Sequence, residues 1–222
     1  MIEENEKQHI YCVPGLAAST SIFEYIKLPI EKFEIHLLKW FVPTPNMTLA
    51  AYAQELNKSI IHENVVLIGV SFGGILVQEM AKYKKVKKVI IISSVKTSDE
   101  LPKKMRFASL ISAHKLLPTS LVNNVEFMAK YAFGDAVTKR LHLYEKYLDV
   151  RDTTYLNWAI DQMVNWRQKE PPENIVHIHG DKDPVFPIER IKNCISVENG
   201  THTMIIHRAK WFNEHLATII LQ

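Results

Sequence analysis

"LIGVSFGGIL", residues 67–76, is the stretch that decides the fold. The apolar run Val65–Val70 reads as a buried strand, because a short β-branched stretch closed by a turn signal suits a strand covered on both faces. The run stops at Ser71, which stands between Gly69 and Gly73, and residues 72–84 then take helical spacing. A buried strand here delivers a hydroxyl to its tip and carries no Cβ two positions to either side.

That pattern, G-x-S-x-G between a strand and a helix, is the nucleophile elbow. A sharp strand-to-helix turn holds the serine in a strained backbone conformation with its Oγ exposed. Side chains at 69 and 73 would meet neighbouring backbone, so glycine suits both positions. The free N–H groups and positive dipole end of the new helix face the reacting oxygen. A serine-capped glycine turn is the plainer alternative, and the flanking strand and helix argue against it.

Working outward, strands and helices alternate. Strands are expected over 9–14, 33–40, 64–70, 86–95, 173–180 and 193–200. Thr48 is a cap candidate for a helix after the second strand, and residues 203–221 read as one closing amphipathic helix. Short apolar strands separated by helices predict an α/β fold with a central, mostly parallel sheet of about six strands. Residues 97–169 break this rhythm. They read as helices rich in Phe107, Phe127, Met128, Tyr131, Phe133, Tyr144, Tyr147, Tyr155, Trp158 and Trp166, a helical cap insertion within a single domain spanning 1–222.

Composition narrows the function classes. The chain has 222 residues, 47% hydrophobic and 23% charged, with a net charge of +3. Its basic residues are scattered, and the densest run, Lys82–Lys88, reads as a solvated helix end rather than a nucleic-acid face. No stretch has the length of a membrane span. The acidic N-terminus has no apolar core of a signal peptide, so a cytoplasmic location is expected. Cys12 and Cys194 form no C-x-x-C or zinc spacing, so free thiols and no metal are expected.

Two further segments follow the serine in a telling order. "HIHGDKDPVFP" (177–187) places Asp181 and Asp183 on a turn after a strand, and "ENGTHTMI" (198–205) places His202 on a glycine loop. All three segments follow the C-terminal ends of strands, where open parallel sheets carry their sites. Asp99, after the fourth strand, is a third candidate acid.

Taken together, "YCVPGLAAS" (11–19), "GVSFGG" (69–74), "HGDKDPVFP" (179–187) and "GTHTM" (200–204) resemble the motifs of a small α/β-hydrolase over nearly the whole chain. The family often has His-Gly at the first turn, where this chain has Pro14-Gly15. The resemblance implies Ser71 as nucleophile, His202 as base and Asp183 as its orienting acid, with backbone N–H groups of Leu16 and Phe72 as the oxyanion hole. It implies an ester or thioester substrate, a small acyl compound, and no cofactor. Acyl transfer, C–C hydrolysis and ligand binding without chemistry remain open on this scaffold. Tyr155 and Trp158 share a helix face, and Trp158 is a candidate for the substrate pocket.

Overall fold

The computed structural model describes residues 7–103, 105 and 146–222. Val66–Val70 forms strand β3, with every residue buried. It runs beside β1 (Gln8–Val13) on one side and β4 (Lys88–Ile92) on the other. β2 (Phe33–Leu37), β5 (Ile175–Gly180) and β6 (Ile195–Val197) complete a six-stranded sheet in the order β2-β1-β3-β4-β5-β6. Every pairing is parallel. The expected sheet is therefore present, with Ser71 after the third strand in sequence.

Apolar burial drives the centre. Leu67, Ile90, Ile91 and Ile178 have no exposed surface, and each such side chain contributes about 1.5–3 kcal/mol on transfer from water. Helix α1 (Leu49–Asn57) starts at Thr48, whose Oγ1 accepts from Ala51 N–H at 3.1 Å, the expected cap. Helix α2 (Phe72–Met80) is buried at all its positions. Its two buried polar side chains are paired, Gln78 with the Gly74 and Val95 carbonyls and Glu79 with Lys82, as a helix packed between layers requires.

Helix α3 (Thr153–Asn165) is capped by Asp152, which accepts from Tyr155 N–H at 2.9 Å. The closing helix differs from its expectation. It is two pieces, α4 (Met204–His207) and α5 (Ala209–Leu221), broken at Arg208 with φ −114° and ψ 25°. No breaker residue marks this point. The predicted strands are also trimmed, because left-handed residues end them: Ser93 (φ 48°) stops β4, and Asn193 (φ 48°) and Asn199 (φ 52°) bracket β6.

Of the insertion expected over 97–169, Phe107, Phe127, Met128, Tyr131, Phe133 and Tyr144 lie outside the described residues. Its two ends are clasped together. Ser98 N–H donates to the Gln168 carbonyl at 2.8 Å. The Gln168 side-chain amide donates to the Lys96 carbonyl at 2.9 Å and to Gln78 Oε1 at 2.8 Å. Further along, Trp158 Nε1 donates to the Met47 carbonyl and Leu49 N–H to Gln162 Oε1.

Cys12 is buried and Cys194 half-buried, and both are free thiols. Three strands separate β1 from β6 in the sheet. Burial pushes the Cys12 thiol up to about 12. Among the described residues no helix is long and apolar enough to cross a membrane.

Candidate active site

Ser71 sits at the tip of β3 with φ 53° and ψ −119°, a left-handed backbone that costs a non-glycine residue about 1–3 kcal/mol. The surroundings enforce it. A Cβ at Gly69 would press into the Gly73 carbonyl and stand 2.6 Å from Gly74 N. One at Gly73 would stand 2.5 Å from the Val13 carbonyl oxygen. The two glycines thus let α2 start directly against β1 and β3, as the sequence reading requires. Ser94 Oγ donates to the Ser71 carbonyl at 2.7 Å and braces the turn from the tip of β4.

Three polar side chains meet in one line. His202 Nε2 lies 2.9 Å from Ser71 Oγ, and His202 Nδ1 lies 2.9 Å from Asp183 Oδ2 and 3.1 Å from Oδ1. Ser71, His202 and Asp183 are all buried. With Nδ1–H donating to the carboxylate, Nε2 is left to accept from the serine hydroxyl. His202 stands on the loop between β6 and α4, and the Asp183 turn follows β5.

The Asp183 carboxylate is itself fixed. Its Oδ1 accepts from Val185 N–H at 2.8 Å and Phe186 N–H at 3.0 Å. Burial pushes this carboxyl up, but the adjacent His202 imidazole and these hydrogen bonds outweigh burial and hold it below the ordinary aspartate value. The same turn is held from below by His179, whose Nε2 donates to the Phe186 carbonyl at 2.8 Å. His177 lies behind it, with Nε2 at 3.1 Å from His179 Nδ1. Burial lowers both imidazoles, His177 to about 2, so both are neutral at pH 7. They are packed, as their alternation along the strand suggests.

The other candidate acids lie elsewhere. Asp99 is exposed and pairs with Lys169 at 3.3 Å. Asp181 is held at the start of the turn, its N–H donating to the Val197 carbonyl at 3.2 Å. Among the described residues the carboxylate paired with His202 is that of Asp183.

Leu16 follows Gly15, whose position packs against Ser71 Cβ, and Phe72 opens α2. Among the described residues neither the Leu16 nor the Phe72 backbone N–H has an acceptor. Leu16 lines a cavity at Ser71 and His202 together with Ile22, Met163, Val185, Ile205 and Ile206. That wall is almost wholly apolar. Trp158, expected at the pocket, is not among the described lining residues. Its indole N–H is drawn to the Met47 carbonyl, and its ring stacks on Tyr52 at 4.4 Å. Aromatic packing between α3 and α1 thus holds it, half-buried, against the core.

Two residues that sequence reasoning passed over shape the site. Trp40 Nε1 donates to the Gly15 carbonyl at 3.1 Å, and its ring stacks on Phe72 at 5.5 Å, so one indole braces both turns. Ser94 is the second. Its only signal was a pair of serines ending an apolar strand, and Trp40 had no local signal beyond its place at the end of an expected strand.

Solved structures share the architecture. An esterase from Thermogutta terrifontis superposes with a TM-score of 0.70 at 14% identity, over 96% of this chain and 90% of that one. A bromoperoxidase from Bacillus anthracis gives 0.67 at 17% identity, over 99% and 94%. The RedJ thioesterase of the prodiginine biosynthetic pathway in Streptomyces coelicolor gives 0.66 at 15% identity, over 96% and 85%. At such identities these likenesses speak for the fold alone. No curated protein sequence matches the chain. The model of the α/β hydrolase family does match it, over residues 13–215, a span that takes in the Gly15 turn, the elbow, the acid turn and the histidine loop. By this match and by its six-stranded parallel sheet, the chain belongs to the α/β hydrolase family.

Proposed function

We propose that this protein is a serine hydrolase that cleaves a carboxylic ester or thioester through an acyl-enzyme on Ser71. The observation that carries the reading is the unbroken line from Ser71 Oγ through His202 to Asp183, with 2.9 Å at each joint. A hydroxyl is a weak nucleophile until a base within hydrogen-bond reach takes its proton. Ser71 Oγ attacks the acyl carbon while its proton passes to His202 Nε2. The Asp183 carboxylate holds the ring in the tautomer that can accept and stabilises the imidazolium that forms.

The carbonyl oxygen, now negative, takes hydrogen bonds from the Leu16 and Phe72 N–H groups. Donors fixed in place before the reaction are worth about 10²–10³ in rate each. His202 then gives its proton to the departing alcohol or thiol. Water, activated by the same imidazole, releases the acid and restores Ser71. No metal or organic cofactor enters these steps. The apolar wall of Ile22, Met163, Ile205 and Ile206 favours a substrate with an apolar acyl group. The buried free thiol of Cys12 fits a reducing cytoplasm.

The test is covalent labelling with a fluorophosphonate, read by mass spectrometry, beside turnover of a panel of esters and thioesters. Wild type should carry the adduct on Ser71. Ser71→Ala should carry none and lose about 10⁴–10⁶ in turnover. Equal labelling of the alanine variant would remove Ser71 from the chemistry, and a folded wild type that binds acyl compounds but neither labels nor turns over would be a binding protein.

A further inference from the structure

At the β2 edge of the sheet three imidazoles converge. His9 stands on β1 and His36 on β2, and the register sets His9 opposite Glu34 and Tyr11 opposite His36. Side chains alternate along a strand, so these four share one face. His62 joins them from the loop before β3. His9 Nδ1 lies 3.0 Å from His36 Nε2, and the His9 and His62 rings stack at 3.5 Å. One ring nitrogen from each histidine lies within 4.8 Å of the other two. Glu34 reaches the group as well, with one oxygen 3.8 Å from His9 Nδ1 and the other 3.8 Å from His36 Nε2. None of these residues lines the cavity at Ser71.

We propose that His9, His36 and His62 form a binding site for a zinc-class divalent transition ion, with Glu34 as the fourth ligand. Imidazole nitrogens with one carboxylate suit zinc, nickel or copper, whereas magnesium and calcium call for oxygen ligands. Zn–N bonds of about 2.0–2.1 Å in a tetrahedron put ligand atoms about 3.3 Å apart. Small rotations of three partly exposed rings bring the nitrogens to that spacing. A metal-bound histidine needs its other nitrogen held, and Tyr11 Oη stands 2.7 Å from His62 Nδ1. With Nδ1–H donating to Tyr11, His62 Nε2 carries the lone pair for the ion. No local Cys/His spacing announces this group, because residues 9, 36 and 62 meet only through strand register. The ion ties the edge strand to β1 and to the loop that leads into β3. It stands apart from the hydrolytic reading and does not depend on it.

Metal-free full-length protein titrated with zinc chloride by calorimetry tests the site, beside thermal unfolding with and without zinc. The expected result is one zinc per chain and a raised Tm, since an ion that binds only the folded chain stabilises it. His36→Ala and His62→Ala should each weaken binding at least about tenfold and cancel the Tm rise. His36→Gln serves as a second variant if circular dichroism shows the alanine form unfolded. Ser71→Ala and His202→Ala should bind zinc as wild type does. Absence of saturable binding, binding untouched by the His36 and His62 substitutions, or binding lost with His202→Ala would each overturn the proposal.

Discussion

Replacing Asp183 by asparagine separates the charge of this side chain from its shape. The two carboxylate oxygens have different duties. Oδ1 accepts from the Val185 and Phe186 N–H groups at 2.8 and 3.0 Å, and Oδ2 makes the shorter approach, 2.9 Å, to His202 Nδ1. An amide can keep its oxygen under the two backbone donors. Its NH₂ then faces Nδ1, and an amide N–H can only donate. Nδ1 must become the lone-pair nitrogen, and the ring proton moves to Nε2, 2.9 Å from Ser71 Oγ. In that tautomer the ring cannot take the serine proton. The same exchange in a serine-protease triad lowers kcat by about 10⁴, equivalent to about 5.4 kcal/mol of barrier at 1.36 kcal/mol per tenfold. The assay is kcat on an activated ester, with the fluorophosphonate labelling rate as a second reading and Tm as the fold control. Both rates should fall together while the protein stays folded at a somewhat lower Tm, since the packing and the backbone hydrogen bonds survive and only the ionised carboxylate's contribution is lost. Asp99→Asn, made alongside, neutralises an exposed carboxylate that pairs with Lys169 and should stay within about 0.5 kcal/mol of wild type in stability. Normal turnover by a folded Asp183→Asn protein, or an Asp99→Asn protein that is the crippled one, would refute the reasoning.

Two more expectations concern the same neighbourhood. Gly69→Ala drives a Cβ into the Gly73–Gly74 backbone, which no side-chain rotation relieves, so the urea midpoint should drop by the equivalent of at least about 2 kcal/mol; an unchanged midpoint would show that the elbow yields more readily than its geometry allows. Because Asp183 is held below its ordinary value near 3.8 in the folded chain, its ionisation stabilises the fold above that value, and this contribution is lost as the pH falls through the lower, folded value. Unfolding free energies measured across acid pH should therefore decline more steeply for wild type than for Asp183→Asn, and parallel curves would contradict the assigned environment.

Much of this architecture could be read from local pattern. The β-branched runs ending at Val70 and Ile92 announce central strands because burial on both faces leaves no polar position. Gly69 and Gly73 announce the turn because the backbone there admits no side chain. Strand ends were harder, since Ser93, Asn193 and Asn199 stop strands by adopting positive φ, which nothing in a serine or asparagine requires. The choice among Asp99, Asp181 and Asp183 rested on turn geometry, and the orientation of one carboxylate toward His202 is what distinguishes them. Trp40 and the His9–His36–His62 group escaped notice for a common reason. Their partners lie far off in sequence, and only the pairing of β1 with β2 and the path of the loop before β3 bring them together.

The clasp between Ser98 and Gln168 has a bearing on how this chain can change. The polypeptide leaves the sheet after β4 and comes back before β5 through a hydrogen-bonded doorway. The anchors of α3 to Met47 and Leu49 are a further attachment, and the returning chain is also tied to the Gly15 turn's neighbourhood, where Ser19 N–H donates to the Tyr147 carbonyl and Val150 N–H to the Ala17 carbonyl. Tyr147, Leu148 and Met163 carry this part of the chain to the cavity at Ser71. Substitutions at those three positions can therefore redraw what reaches Ser71 while the strands, the elbow and the histidine loop keep their places.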